Sequence, residues 1–281
     1  MTAGPSRRPA VLLVTDLTYP ARGRRYGDED TLLSARLRED FTVALCHPLD
    51  AVRLMDSFDL VLVRNSGPVI HYRTAYEEFR ARAAALGTRL LNPLHGRGDM
   101  AGKRYLVDLT AAGHPVIPTV DRRDHLDRLP PAAEYVVKPE LGADSLGMRI
   151  VTADDLHGPV LPLDGMLVQP LVDFRYEVSF YFVDRVFQYA LHAPDPARRW
   201  ELVPYRPEPA DLDFAQGFVD WNTLDHGIQR VDACRTRDGR LLLVELEDLN
   251  PYLSLDLVDA TVREAFTDAL KRSIRSLLNA G

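Results

Sequence analysis

The chain is predicted to be an α/β protein, with a Rossmann-like parallel sheet in its first third and two further lobes of α+β character. Three observations predict this. Through residue 92, short apolar runs alternate with stretches of helical periodicity, the pattern of β-α-β units. From residue 134 onward the apolar runs come mostly in pairs joined by tight turns, as in antiparallel hairpins. The last hairpin runs from apolar residues straight into Glu245, Glu247, Asp248 and Asn250 in "RLLLVELEDLNPY". Side chains alternate along a strand, so Glu245 and Glu247 share a face with Leu246 opposite, and two adjacent carboxylates repel unless positive charge lies between them.

In order, "AVLLVT" (10–15) is a strand covered on both faces, because its apolar run is unbroken. "EDTLLSARLRED" (29–40) is helical, "FTVALC" (41–46) a strand, "DAVRLMDSF" a short helix and "DLVLVR" (59–64) a strand. "YRTAYEEFRARAAALG" (72–87) is a helix stopped by Gly87, and "TRLLN" (88–92) is the next strand. Ligands of such sheets gather beyond the carboxyl ends of the strands, which here carry Asp16, Thr18 and "RNSG" (64–67). No GxGxxG follows the first strand, so a dinucleotide site is not indicated. Asn65-Ser66-Gly67 reads equally as a turn or as a substrate contact.

A second unit begins near Pro93. "DMAGKRYLVDLTAAG" (99–113) is expected as one amphipathic helix, capped by Asp99 and stopped by Gly113. "EYVVKP" (134–139) and "MRIV" (148–151) are strands around a small-residue loop, and Pro170 confines "GMLVQPLV" (165–172) to an edge or a bulge. The stretch after Phe174 forms two strands turning at Asp184-Arg185. "PDPARRWELVPYRPEPAD" (194–211) is expected as a long surface loop, and "DFAQGFVDWNTLDH" as a helix. A hairpin on Arg237-Asp238-Gly239 and a closing amphipathic helix complete the chain.

Composition narrows the function. With 281 residues, 46% hydrophobic and 27% charged, the chain has an ordinary globular make-up and room for more than one lobe. A net charge of −7 argues against nucleic-acid or anionic-lipid partners. Cys46 and Cys234, far apart and without CxxC, suggest core residues rather than a disulfide or zinc site. The first apolar run is too short for a signal peptide and none approaches the ~20 residues of a membrane span, so a cytoplasmic location is expected.

Four constellations bear on chemistry. Arg230 and Asp232 share one strand face, Glu245 and Glu247 the facing one, so three carboxylates surround one arginine. That set reads as an oxygen-donor Mg²⁺ site or as a solvated, ion-paired face. Lys103 and Lys138, the latter ending an apolar strand beside a glycine loop, read as phosphate ligands or as snorkelling surface lysines. "GADSLG" (142–147) is able to close over phosphates but lacks the Walker A pattern. No HExxH or GxSxG occurs, and Arg97-Gly98-Asp99 reads as helix capping rather than as an adhesion tripeptide.

In this order and spacing, "NP", "DMAGKRYLVDLTAAGHPVIPT", "YVVKPELGADSLGM", "LVQPLV", "YEVSFYF" and "RVDACRTRDGRLLLVELEDLNP" resemble the ATP-grasp superfamily of carboxylate–amine ligases, from about Asn92 to Pro251. The resemblance implies an N-terminal α/β domain (1–92), a central lid domain (93–172) and a C-terminal domain with the metal site (173–281). ATP would lie between the last two. It makes Lys103 and Lys138 phosphate-contacting lysines, and the loop with Gly142, Ser145 and Gly147 a flap over the triphosphate. Gln169, Pro170, Leu171 and Val172 become the strand whose backbone holds adenine, with Glu177 a further nucleotide contact. Asp232, Glu245 and Glu247 become ligands of two Mg²⁺ ions, for which Mn²⁺ can substitute. Arg230, Lys138 and Asn250 become the catalytic groups. Many relatives carry E-x-N where this chain has E-x-E with Asn250 three residues on, so Asn250 is either a metal ligand or a substrate contact. The implied reaction phosphorylates a carboxylate and passes the acyl phosphate to a nitrogen nucleophile. "TDLTYPARGRRYGDED" and "VELEDLNPY" are further similar to the D-cycloserine synthetase type, implying a small amino-acid-like substrate, O-ureido-D-serine, cyclised on itself. The other readings are a ligase joining two amino acids and a non-catalytic nucleotide binder. Asp16, Arg64, Asn65, Arg175, Arg206 and Asn250 are the candidate substrate contacts, each with a structural role as the alternative, and a homodimer is compatible with all of this.

Overall fold

The computed structural model describes residues 7–21, 24–64, 69–142, 146–158, 162–249 and 251–280. The first sheet contains β1 (Ala10–Val14), β4 (Thr42–Cys46), β5 (Leu60–Val63) and β6 (Leu90–Leu91), all parallel in the order β4-β1-β5-β6. A short antiparallel pair, β2 (Pro20–Ala21) and β3 (Arg24–Arg25), precedes α1 (Tyr26–Leu37). The unbroken apolar runs follow from cover on both faces. Val11, Leu13, Leu60 and Leu62 pack toward α1 and the C-terminal helix, while Leu12, Val14, Val61 and Val63 pack toward the other side. That other side is built by α2 (Ala51–Leu54) and α3 (Arg73–Leu86), with Tyr76, Phe79 and Ala83 inward and a left-handed Gly87 at the helix end.

The expected helix over 99–113 is interrupted. Asp99–Ala101 form a single 3-10 turn, Gly102 takes φ +90°, and only α4 (Tyr105–Ala111) is α-helical. Next come β7 (Glu134–Pro139), β8 (Arg149–Thr152), α5 (Ala153–His157) and β9 (Met166–Pro170), forming a three-stranded antiparallel sheet in the order β8-β7-β9. Pro170 therefore sits on an edge strand, where its missing N–H does least harm.

The largest sheet is antiparallel, in the order β12-β11-β10-β13-β14. Its strands are β10 (Phe174–Val183), β11 (Val186–Ala193), β12 (Val203–Tyr205), β13 (Ile228–Thr236) and β14 (Leu241–Glu247). The expected surface loop at 194–211 thus contains an edge strand, β12, and leads into α6 (Pro209–Asn222) through a capping box of Glu208 and Asp211. One face of this sheet buries Val178, Phe180, Val231, Leu243 and Leu246 under α4 and α6. Part of the other face, Tyr181, Val183, Tyr189 and Leu191, lies under α7 (Ala260–Asn279), whose N-cap is Asp259. Both cysteines are buried.

One irregularity positions the site. Asp232 pairs with Glu245 but Ala233 pairs with Leu243, so Val244 is an extra residue in β14. Without this bulge Leu241, Leu243, Glu245 and Glu247 would share one face. With it, Leu241 and Leu243 join Leu246 in the core while Glu245 and Glu247 turn to the opposite side.

Candidate functional site

The acids and their cations meet on the sheet face carrying Glu177, Ser179 and Tyr181. Register places Ser179 against Asp232, Tyr181 against Arg230, Asp232 against Glu245 and Arg230 against Glu247. Arg230 donates from Nε to both oxygens of Asp232 (2.9 and 3.1 Å), from Nη2 to Asp232 and Glu247, and from Nη1 to the Tyr252 carbonyl (2.8 Å). Lys103 Nζ reaches Glu245 Oε1 at 2.6 Å and is 9% exposed.

Burial dominates the electrostatics. It pushes the Lys138 ammonium down to about 8, with neighbouring Lys103 adding to the effect and Glu245 partly opposing it. Burial also pushes Glu245 up, but Lys103 and Lys138 outweigh it and hold this carboxyl below its ordinary range. Glu247 goes the other way: burial, with Asp232 and Glu245 beside it, outweighs Arg230 and raises it well above a normal glutamate. Asp99 is likewise raised by burial and by Asp248, Glu247 and Glu245. Five acids (Asp99, Asp232, Glu245, Glu247, Asp248) thus face three cations (Lys103, Lys138, Arg230), an excess of two negative charges when all are ionised.

Among the described residues no group of three His, Cys, Asp or Glu side chains is arranged to hold a metal ion. The expected magnesium ligands do share one wall, but Arg230 lies between Asp232 and Glu247, and Lys103 covers Glu245. The donor chemistry nonetheless fits Mg²⁺, because Asp232, Glu245 and Glu247 all offer hard carboxylate oxygens. Repositioning the two cations onto phosphate oxygens would free those carboxylates.

The loop carrying Lys103 is locked to the end of β14. Asp248, fully buried, accepts from the amides of Gly98 and Met100 (both 2.9 Å) and from Asn222 Nδ2 (3.0 Å). Asp99 returns the contact by accepting from the amides of Asp248 (2.7 Å) and Leu249 (3.0 Å). Asn92, at φ +59°, donates to the carbonyls of Ile228 and Asp248 and accepts from the Ile228 amide. A Cβ on Gly98 would meet the Leu246 carbonyl at 2.6 Å, so glycine is required at this crossing. Asp99 therefore caps the turn after β14 rather than its own helix. Arg97 stacks on Trp221 at 4.0 Å to the ring centroid, which makes the Arg97-Gly98-Asp99 tripeptide part of the fold.

Across from this wall, β7 and β8 present Val136 opposite Ile150, with Gln169 of β9 in the same row. Ile150, Met148 and Leu146 are exposed, an apolar surface that the sequence reading did not single out. Gln169 is buried and its Nε2 donates to Thr119 Oγ1 at 2.8 Å. The Leu171 amide donates to the Glu134 carbonyl at 2.9 Å, so in this conformation it is engaged within the sheet; Pro170 is buried, Val172 half-buried and Leu171 exposed. Gly142 and Gly147 flank the loop, Gly147 at φ +75°, and Ser145 lies outside the described residues.

Glu177 is paired with Arg199, whose Nη2 lies 2.5 Å from Oε1 and whose charge also reaches Lys138. The sequence reading missed Arg199, because nothing in a proline- and arginine-rich loop marks one arginine as inward. The expected substrate contacts are dispersed. Asp16 accepts from the Thr18 amide and hydroxyl (2.9 and 2.8 Å) and faces His47 at 3.5 Å. Arg64, expected at the substrate, has a wholly buried guanidinium bound to Glu29, Asp30 and the Pro251 carbonyl, each at 2.7 Å. The physical reason is charge: two buried acids of α1 need a cation, and Arg64 at the end of β5 supplies it. Arg175 and Arg206 are exposed, while Asn65 and Asn250 lie outside the described residues. Among the described residues no helix is long and apolar enough to cross a membrane.

Comparison with known proteins gives two kinds of match. No established family profile matches the chain. A cycloserine biosynthesis protein of Streptomyces lavendulae, DcsG, is 28% identical over 264 positions, covering 81% of this chain and 88% of the relative. The crystal structure of the D-cycloserine synthetase DcsG superposes with a TM-score of 0.72 at 24% identity, over 94% of this chain and 99% of that one. D-alanine–D-alanine ligase of Bacillus anthracis, solved with ATP, superposes with a TM-score of 0.66 at 14% identity, over 96% and 97% of the two chains.

Proposed function

We propose that this protein, a carbon–nitrogen ligase with the ATP-grasp fold, activates the carboxylate of a small amino-acid-derived substrate with ATP. The observation that carries the reading is the wall of Asp232, Glu245 and Glu247 interleaved with Arg230 and Lys103, opposite Lys138. An all-acid wall would suit a metal alone and an all-basic wall a phosphate alone; the mixture suits a metal–triphosphate pair. Asp232, Glu245 and Glu247 would hold Mg²⁺, which when bound offsets charge developing between the β- and γ-phosphates. Lys103, Lys138 and Arg230 bind phosphate oxygens and stabilise the transferring phosphoryl group, each leaving its present carboxylate or neighbour to do so. The apolar surface at Val136, Met148 and Ile150 suits the adenine ring. The three units carry over as 1–92, 93–172 and 173–281, with a cytoplasmic setting.

The substrate carboxylate takes the γ-phosphoryl group, releasing ADP, and the acyl phosphate then loses phosphate to an attacking nitrogen. Our specific reading is intramolecular: the carboxyl of O-ureido-D-serine is activated, and its own aminooxy nitrogen loses a proton and closes the ring as phosphate leaves. The carbamoyl group on that nitrogen is removed by hydrolysis. It is supported by the match to a cycloserine biosynthesis protein over most of both chains. ADP release measured with O-ureido-D-serine alone, and with amino acids singly and in pairs, tests this. Turnover on O-ureido-D-serine alone is expected. A strict need for two amino acids would replace the cyclisation with an intermolecular ligation, and no ADP release with any of them, despite ATP binding, would reject both. Glu245→Gln is expected to lower turnover at least about 100-fold while the far-ultraviolet circular dichroism stays unchanged; retained activity would remove Glu245 from the metal site.

A further inference from the structure

We propose that Glu29 is a positioning residue for Arg230, acting through residues 251–254. The proposal rests on the reading above, in which Arg230 meets the transferred phosphoryl group. Arg230 is held at three points, and two of them, Asp232 and Glu247, are its own sheet neighbours. The third is the Tyr252 carbonyl, which lies outside the sheet, so the direction of the guanidinium depends on where residues 251–254 run.

That segment is fixed from the first sheet's side of the molecule. Glu29 of α1 accepts the Leu253 amide at both oxygens (2.9 and 3.1 Å) and the Ser254 amide at Oε2 (3.0 Å). Arg64 binds the Pro251 carbonyl and, through Nη2, Glu29 itself, both at 2.7 Å. Asp30 holds Arg64 Nε at 2.7 Å and accepts Thr15 Oγ1 at 2.5 Å. The Tyr189 hydroxyl donates to the Leu253 carbonyl at 2.8 Å, and Ser254 takes a left-handed φ of +53°. Burying two carboxylates and an arginine contributes little net stability compared with apolar side chains of equal size. Charged hydrogen bonds are, however, short and directional, which suits them to fixing backbone that no strand or helix constrains. Glu29 and Arg64 between them engage Pro251, Leu253 and Ser254, leaving the Tyr252 carbonyl aimed at Arg230. A displacement of about 1 Å in a group that binds a transferring phosphoryl is enough to be felt strongly in its affinity.

The test compares Mg·ADP with Mg·AMPPNP, because their difference reports contacts to the γ-phosphate. Dissociation constants are measured by calorimetry, with thermal melts to establish folding, for the wild type, Arg230→Ala, Glu29→Gln and Tyr189→Phe. Arg230→Ala is expected to abolish the preference for AMPPNP. Glu29→Gln is expected to reduce the preference about tenfold while Mg·ADP affinity stays within about twofold. A general structural defect would weaken both nucleotides alike. An unchanged preference in folded Glu29→Gln overturns the proposal; if that variant does not fold, an unchanged preference in Tyr189→Phe does so. A wild type that binds both nucleotides equally also overturns it. Binding of neither nucleotide would instead remove the ATP-dependent function itself.

Discussion

At the scale of single residues, Lys103 and Glu245 form a largely buried cation–acid pair on the site wall, with Nζ 2.6 Å from Oε1. Lys103→Met would leave Glu245 beside Glu247 and Asp99, with Lys138 and Arg230 near it but without its hydrogen-bonded cation. Unfolding in urea is expected to show a loss of about 3–5 kcal/mol, the usual penalty for orphaning a buried ion. The double variant Lys103→Met/Glu245→Gln is expected to recover much of it, and full additivity of the two changes would contradict the pairing. Glu29 gives a pH signature. Burial pushes its carboxyl up to about 7 from 4.5, opposed by Arg64 and reinforced by Asp30. A raised acid binds its proton more tightly in the folded state, so this contribution is complete below about pH 4.5 and is lost as pH rises through 7. Its size is about 3 kcal/mol. Glu29→Gln should therefore flatten stability against pH between 5 and 7, and an identical slope in variant and wild type would show that Glu29 titrates normally.

Elements place those residues. The bulge at Val244 lets one strand serve the core with Leu241, Leu243 and Leu246 and the site with Glu245 and Glu247. Alternation read from Glu245 forward is visible in the sequence, but the change of phase before it is not, because a bulge is set by the partner strand. The break at Gly102 has a similar origin. Residues 99–113 carry a helical pattern, yet Asp99 is drawn off to the amides of Asp248 and Leu249, and the chain turns before α4 begins. Gly98→Ala, whose new methyl group would press on the Leu246 carbonyl and on Asp248, is expected to destabilise the protein by about 1–3 kcal/mol. It should also weaken Mg·AMPPNP binding by shifting Lys103. Destabilisation without any change in nucleotide affinity would mean that this crossing does not position the lysine.

At the scale of the whole molecule, three of the four sheets among the described residues contribute to the site. The largest carries the acids and Arg230, the three-stranded one carries Lys138 and the open apolar face, and the first holds residues 251–254 through Glu29 and Arg64. A ligand bridging the first two should stabilise the folded chain. At a free Mg·AMPPNP concentration near 100 times its dissociation constant, the gain is expected to be about 2.7 kcal/mol, read as a rise in melting temperature. Removing Mg²⁺ with EDTA should abolish most of it, since five acids would then face the triphosphate with only three cations. A shift equal with and without Mg²⁺ would argue that the carboxylate wall holds no metal.

The sequence by itself determined the parallel first sheet, the antiparallel hairpins and the shared strand faces of Arg230 with Asp232 and of Glu245 with Glu247. Each of these is written in a short-range pattern: an apolar period, a turn residue, or two charges two positions apart. Only the tertiary structure decided the bulge phase, the inward turn of Arg199, the Asp99–Asp248 lock and the burial of Arg64. All depend on a partner that folding supplies: a neighbouring strand for the bulge, Glu177 for Arg199, and residues 149 positions apart for Asp99 and Asp248 and 187 for Arg64 and Pro251. A charged residue looks the same in sequence whether it meets solvent, substrate or a buried counter-ion, and what separates these cases is the neighbour that folding places beside it.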